Sequence, residues 1–246
     1  MKFDIRSALI LSGFGLALVS GLLLAFSGPG SRLGLWNFRA GFSLLKWAMF
    51  GGLASLVLCA AGLFLSLHSK TYSGLYFAGA GLLIGLVIAV VPLNARRTAD
   101  SVPRINDITT DTQEPPEFSA LPAPRAGADT PAVYGGQEIA AQQLKAYPQV
   151  KPVILQLPPA EAFEKALATA KALGWEITAA DKPAGRIEAV DTTFWFGFKD
   201  DIVIRVRAEG NGSRLDIRSR SRVGKSDLGT NAKRIMKFSE NMLPRK

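Results

Sequence analysis

One cysteine and one histidine stand in the 246 residues of the chain, and each scarcity excludes something. A lone Cys59 rules out an intrachain disulfide, so cysteine usage leaves the redox compartment open. The lone His68 falls in the apolar part of the sequence. A Ser-His-Asp triad and histidine metal sites are thereby excluded from the polar part, and no cofactor is expected. Charge is missing too, from three long runs: residues 8–26, 47–67 and 74–93 contain no Asp, Glu, Lys or Arg. Each has about the 20 residues a helix needs to cross the hydrocarbon layer of a membrane.

Lys2 and Arg6 precede the first run, and Ala25 and Ser27 could mark a cleavage site, as in a secretory signal. The run exceeds the roughly 7–15 apolar residues of a signal core, so a retained anchor is expected and residues 1–93 read as a membrane unit. Small residues recur four apart at Gly13, Ala17 and Gly21, at Gly51, Ser55 and Cys59, and at Gly81 and Gly85. In lipid such residues let helix backbones approach closely, within one chain or between copies in a homo-oligomer. The segment "GLWNFRAGFSLLKW" mixes Trp36, Phe38, Phe42 and Trp47 with Arg39 and Lys46, a composition suited to lying along the interface. Lys2, Arg6 and Lys70 fall on one side of the three spans, and Arg32, Arg39, Lys46, Arg96, Arg97 and Arg104 on the other. The positive-inside rule then puts the C-terminal part in the cytoplasm.

Residues 94–147 read as a linker. Asp100 to Pro131 carries acids at 100, 107, 111, 114, 117 and 129 and prolines at 103, 115, 116, 122, 124 and 131, against only Arg104 and Arg125. Such a stretch has too little apolar surface to fold alone. Residues 148–246 read as a soluble α+β domain of order β-α-β-β-β-β-α. "PVILQL" leads into a helix that starts at Pro159, ends at Gly174 and has Phe163, Ala166, Leu167, Ala170 and Leu173 on one face. "WEITAAD", "RIEAVDTT" and a long hairpin follow, and "DLGTNAKRIMKFSENML" closes the domain as a helix. Tight turns between successive strands imply an antiparallel sheet, with both helices on one face.

In the hairpin, Ile202, Ile204, Val206 and Ala208 alternate with Arg205 and Arg207, and Leu215, Ile217, Ser219 and Ser221 with Arg214, Arg218, Arg220 and Arg222. Period-2 alternation collects the arginines on the face away from the helices. Like charges on neighbouring strands repel, so the array needs acids, solvent or a bound anion. "TTFWFGFKDD" adds Phe194, Trp195, Phe196 and Phe198, too many aromatics for one side of a strand. Some of them must cover a second surface, such as a partner, the lipid interface, the membrane helices or the folded linker, so either an exposed contact patch or a second small core against residues 105–121 is expected, and Gly197 implies a turn or bulge.

The stretch "SRSRVGKSD", with a strand leading in and a helix leading out, suggests a phosphate-binding loop, but Ser219 stands where a Walker motif needs its first glycine. Backbone N–H groups near Lys225 and Ser226, with Arg222, could still hold an anion at a helix start. The simpler reading is that Ser226 or Asp227 caps the helix. Asp200 and Asp201 face opposite ways along a strand and do not suit a carboxylate dyad. Asn231 and Arg234 could complete a polar site with Asp227.

The phrases "INDITTDTQEPPEF", "GWEI", "GRIEA", "TTFWFGFKDDIVIRV" and "RSRSRVGKSDLGTNAKRI" resemble a bacterial and plastid family known as domain of unknown function fourteen-ninety-nine, in its three-helix bacterial form. The resemblance implies a bacterial inner-membrane protein and order in "NDITTDT" and "PPEF", but supplies no catalytic residue. Physical chemistry offers a reason for that order. Asp107, Asp111, Glu114 and Glu117 precede a domain with 18 Lys or Arg against 12 acids, so this strip is expected to lie across the arginines, anchored by Ile105, Ile108 and Phe118.

The leading functional expectation is a membrane-anchored binding or scaffolding module. Its contact candidates are Arg205, Arg207, Arg218, Arg220, Arg222, Ser226, Asp227, Asn231, Trp195 and Phe196, facing an acidic protein, an anionic small molecule or membrane lipid headgroups. The alternative is an enzyme with a polar site near Ser221, Arg222, Ser226, Asp227 and Asn231. Nucleic-acid binding ranks last, because acids interleave the cations and no nucleic-acid motif is present.

Overall fold

The computed structural model describes residues 4–121, 130 and 132–243. Lys2, Pro122, Pro124, Arg125, Asp129 and Pro131, used in the orientation and linker readings, lie outside the described residues. The chain divides into two compact units, Met1–Thr98 with Trp195–Gly197, and Ala99–Phe194 with Phe198–Lys246.

The first unit is helical, with α1 at Ile5–Arg32, α2 at Phe38–His68 and α3 at Leu75–Ser101. All three are long and apolar enough to cross a membrane. Each outruns its uncharged stretch, because charge at a helix end does not stop the backbone ladder; caps do. Asp4 caps α1 by accepting from Arg6 N, and Asn37 caps α2 by accepting from Ala40 N at 2.9 Å. That second cap changes the reading of "GLWNFRAGFSLLKW": from Phe38 on it is continuous with α2 and forms no separate interfacial piece.

Packing in this unit inverts the order of a water-soluble core. Ser20, Ser27, Ser55, Ser66, Cys59 and many glycines are buried, while Leu11, Leu22, Val57, Phe64, Leu83 and Val87 are exposed. A side-chain carbon placed on Gly13 would come within 2.6 Å of Cys59 Sγ, and on Gly62 within 2.6 Å of Ile10. Ser55 Oγ donates to Gly81 O at 3.4 Å. The small-residue rows, including Gly51 against Ser20 and Gly85 against Leu56, are thus used within one chain. Of the surfaces open to Trp195 and Phe196, the membrane helices are the one they cover: both belong to this unit, Trp195 lies on Gly28, and the Phe196 ring stands 4.9 Å from that of Phe42. Gly197, at φ 69°, makes the turn.

The second unit is the sheet unit. Its elements are β1 (Asp107–Thr109), α4 (Gly136–Ala146), β2 (Val153–Leu155), α5 (Pro159–Ala172), β3 (Glu176–Asp181), β4 (Arg186–Thr192), β5 (Lys199–Glu209), β6 (Gly212–Ser221) and α6 (Thr230–Met242). From β2 onward this is the β-α-β-β-β-β-α order with an antiparallel sheet. Strand order is β1-β6-β5-β4-β3, and β2 pairs with the remaining length of β6. Helices α5 and α6 cover one face, over Phe163, Ala166, Ile187, Ile202, Ile204, Leu215, Ile217, Ile235 and Phe238. The compact unit begins at Ala99 and takes in β1 and α4, inside the stretch that composition reads as linker. That stretch has few apolar residues, but Ile105, Ile108 and Leu121 are fully buried. It folds by joining an existing sheet rather than by building a core of its own.

Candidate functional site

Register fixes the arginine array. Across β5 and β6, Arg205 stands opposite Asp216, Arg207 opposite Arg214, Val203 opposite Arg218 and Asp201 opposite Arg220. Directly opposed residues of an antiparallel pair project to the same side. These arginines therefore share the face turned away from α5 and α6.

That face is covered by the chain itself. Asp107 Oδ1 accepts from Arg218 Nε at 2.9 Å, and Oδ2 from Arg218 Nη2 at 2.8 Å and from Arg220 Nη1. Arg218 also donates to Pro116 O and Ala132 O, and its guanidinium lies 5.0 Å from the Phe118 ring centre and 5.4 Å from that of Tyr134. With exposures of 1% and 6%, Arg218 and Arg220 are interior residues, and they do not offer the surface expected of them. Asp111 takes Arg205, Arg207 and Arg214 at 3.0, 3.4 and 3.1 Å. Buried Asp216 meets the same three, and Glu114 meets Arg207 at 3.1 Å. Burial alone would raise the Asp111 carboxyl, but N–H donors of Glu114 and Gln113 with Arg214 and Arg205 hold it below the ordinary carboxylate range. Burial and the charge of Asp107 push the Tyr134 phenol up to about 12, against Arg218.

Two further side chains fasten the cover, and sequence pattern did not single out their roles. Fully buried Gln143 of α4 accepts from Thr109 N at 2.9 Å and donates to Thr109 O at 2.7 Å, so its amide stands in for the next strand beyond β1. Glu188 of β4 accepts from the N–H groups of Ser119, Ala120 and Leu121, and Arg186 Nε stands 3.5 Å from the same carboxylate. A glutamine in an amphipathic helix and an acid in a strand carry no spacing signal for such contacts.

The residues near the last helix resolve differently. Asp227 Oδ2 accepts from Asn231 N in the first turn of α6 and Oδ1 from Gly229 N, both at 2.8 Å, while Gly229 holds the N-cap position itself. Burial nonetheless pushes the Asp227 carboxyl up, against those two donors. Ser226 Oγ accepts from Leu228 N, and Arg222 donates to Asp201 at 2.8 Å. Asn231 bridges Ser219, Ser221 and Asn106 O. Arg234 donates to Asp200 and Asp191, each at 2.7 Å, and to Ser219 Oγ. The cluster joins α6 to the sheet, and its donors are met by acceptors of the chain.

Beside the opening of about 250 Å³ between Phe118, Tyr134 and Arg218, two more flank these networks among the described residues. One, of about 470 Å³, is lined by residues 113–117 together with Ala184, Arg186, Val203 and Arg205. The other, a groove of about 240 Å³, runs along α6 between Thr230, Lys233, Arg234 and Lys237 and a wall of Leu173, Trp175 and Asp191. The Trp175 ring stacks on Phe238 at 5.4 Å, which fixes that wall.

The model of the family described as protein of unknown function (DUF1499) matches residues 107–242. The chain belongs to this family. The match begins at the first residue of β1 and ends at the last of α6, so it takes in the acidic cover as well as the sheet that the cover crosses. No curated protein matches the chain.

Proposed function

We propose that this protein is a membrane-anchored binding module that receives an acidic segment of a partner protein in the groove along α6. The observation behind this reading is an asymmetry in how cations are spent. Arginines of the sheet face meet Asp107, Asp111, Glu114 and Asp216 of the same chain. Lys233 and Lys237 are exposed, one turn apart on α6, and have no ion pair among the described residues. Arg234 between them is held by Asp191 and Asp200, so the groove has three cations and a single lining carboxylate against an apolar wall. Such a lining favours a carboxylate on an apolar stem.

The full chain in nanodiscs of zwitterionic lipid is the material for the test, titrated with a hexaglutamate peptide. Saturable binding is expected, weakened about tenfold by Lys233→Ala with Lys237→Ala and by added salt. Absence of binding, or binding indifferent to the double variant, refutes the reading. Binding of the double-lysine surface to anionic-lipid nanodiscs alone would assign the groove to headgroups and refute the protein partner.

The proposal extends to place: a bacterial inner membrane, with the sheet unit in the cytoplasm. Arg32, Arg39, Lys46, Arg96, Arg97 and Arg104 outnumber Lys2, Arg6 and Lys70 across the spans. A reporter fused after Lys246 is expected to be active only in its cytoplasmic form, and activity of a periplasmic reporter there overturns the orientation.

A further inference from the structure

We infer that the opening beside residues 113–117 is a second binding site, separate from the α6 groove, for a small zwitterion carrying both a carboxylate and an ammonium group. At about 470 Å³ it falls within the roughly 300–1,000 Å³ of small-molecule sites. Its lining has both signs, Arg186 and Arg205 with Glu114 and Glu117, beside the apolar Pro115, Pro116, Ala184 and Val203.

The pairing of these charges separates the engaged from the available. Glu114 is taken by Arg207 at 3.1 Å. Arg205 uses Nη2 on Asp111, Asp216 and Glu114 O, while its buried Nε has no acceptor. Arg186 reaches Glu188 only at 3.5 Å and Asp181 at 3.8 Å, beyond good charge-assisted hydrogen-bond length. The reason is visible in Glu188, whose oxygens accept the N–H groups of Ser119, Ala120 and Leu121. Glu117 is exposed and has no ion pair among the described residues. One guanidinium and one carboxylate thus face the same opening without close partners. Arg186 receives the carboxylate of the ligand, Glu117 its ammonium, and the two prolines with Val203 supply a dry wall.

The test titrates the full chain in zwitterionic nanodiscs with the dipeptide Ala-Ala, with acetate and with ethylamine, followed by ligand-observed NMR. Saturable binding of the dipeptide is expected, with both single-charge compounds at least about tenfold weaker. Arg186→Ala and Glu117→Ala should each weaken the dipeptide by about tenfold, whereas Lys233→Ala should not. Glu117 is exposed, so its variant tests the site even if loss of Arg186 perturbs the β3–β4 turn. Failure of the dipeptide to saturate, equal binding of acetate, or indifference to Glu117→Ala overturns the inference without touching the α6 groove.

Discussion

Replacing Asp107 with alanine is expected to lower the unfolding free energy of the sheet unit by about 3–5 kcal/mol, the usual cost of removing one partner from a buried ion pair. Asp107 is 2% exposed and is the carboxylate shared by Arg218 and Arg220, themselves interior. The substitution leaves two guanidiniums in a place where water cannot replace the lost acceptor, although main-chain carbonyls of Pro116, Ala132 and Val133 remain. Asp111→Ala supplies the comparison. Its three arginines are partly exposed and keep Asp216, so about 1 kcal/mol is expected. Urea unfolding read by hydrogen exchange along β5 and β6 measures both. Equal costs for the two variants would show that the buried pair does not hold residues 105–121 in place. A further variant that replaces the whole triad, Asp107→Leu with Arg218→Met and Arg220→Met, should recover most of the loss, because apolar residues of similar volume avoid the desolvation of all three ions.

That contrast bears on what could be read from sequence. Alternation in the hairpin was sufficient to put Arg205, Arg207, Arg214, Arg218 and Arg220 on one face, because a side-chain period of two leaves no other arrangement once Ile202, Ile204, Leu215 and Ile217 are buried. Acidic spacing in residues 107–117 also pointed to the array. Burial was not legible: nothing in "SRSR" distinguishes an arginine at the surface from one roofed by Phe118 and Tyr134. The roof comes from residues about a hundred positions away in sequence. The role of Gln143 was equally hidden, since an amide closing a strand edge needs only one residue in a helix to lie at the right height. The α6 groove is hidden in the sequence for the opposite reason. Lys233 and Lys237 look like the solvated side of an amphipathic helix, and only the fold brings Trp175 and Asp191 beside them.

In the helical unit, Gly81→Leu is expected to raise the rate at which Cys59 reacts with a maleimide by at least about tenfold, whereas Gly79→Leu should leave it unchanged. Cys59 is the sole cysteine of the chain and is fully buried, so its labelling reports opening of the helix packing around it. A side-chain carbon on Gly81 would stand 2.5 Å from Cys59 Sγ and 3.3 Å from Phe14 Cα, and the second contact is backbone that no rotamer change relieves. On Gly79 the same carbon meets nothing within 4 Å. Overpacking costs about 1–3 kcal/mol, and each 1.4 kcal/mol multiplies the open population by about ten. Large apolar residues are already the norm on the lipid-facing side, at Leu83, Leu86 and Val87, so the control changes volume without changing chemistry. Equal labelling of the two variants would mean that Gly81 is not at a helix contact. The small-residue rows would then be available for association between copies, as composition alone had left open.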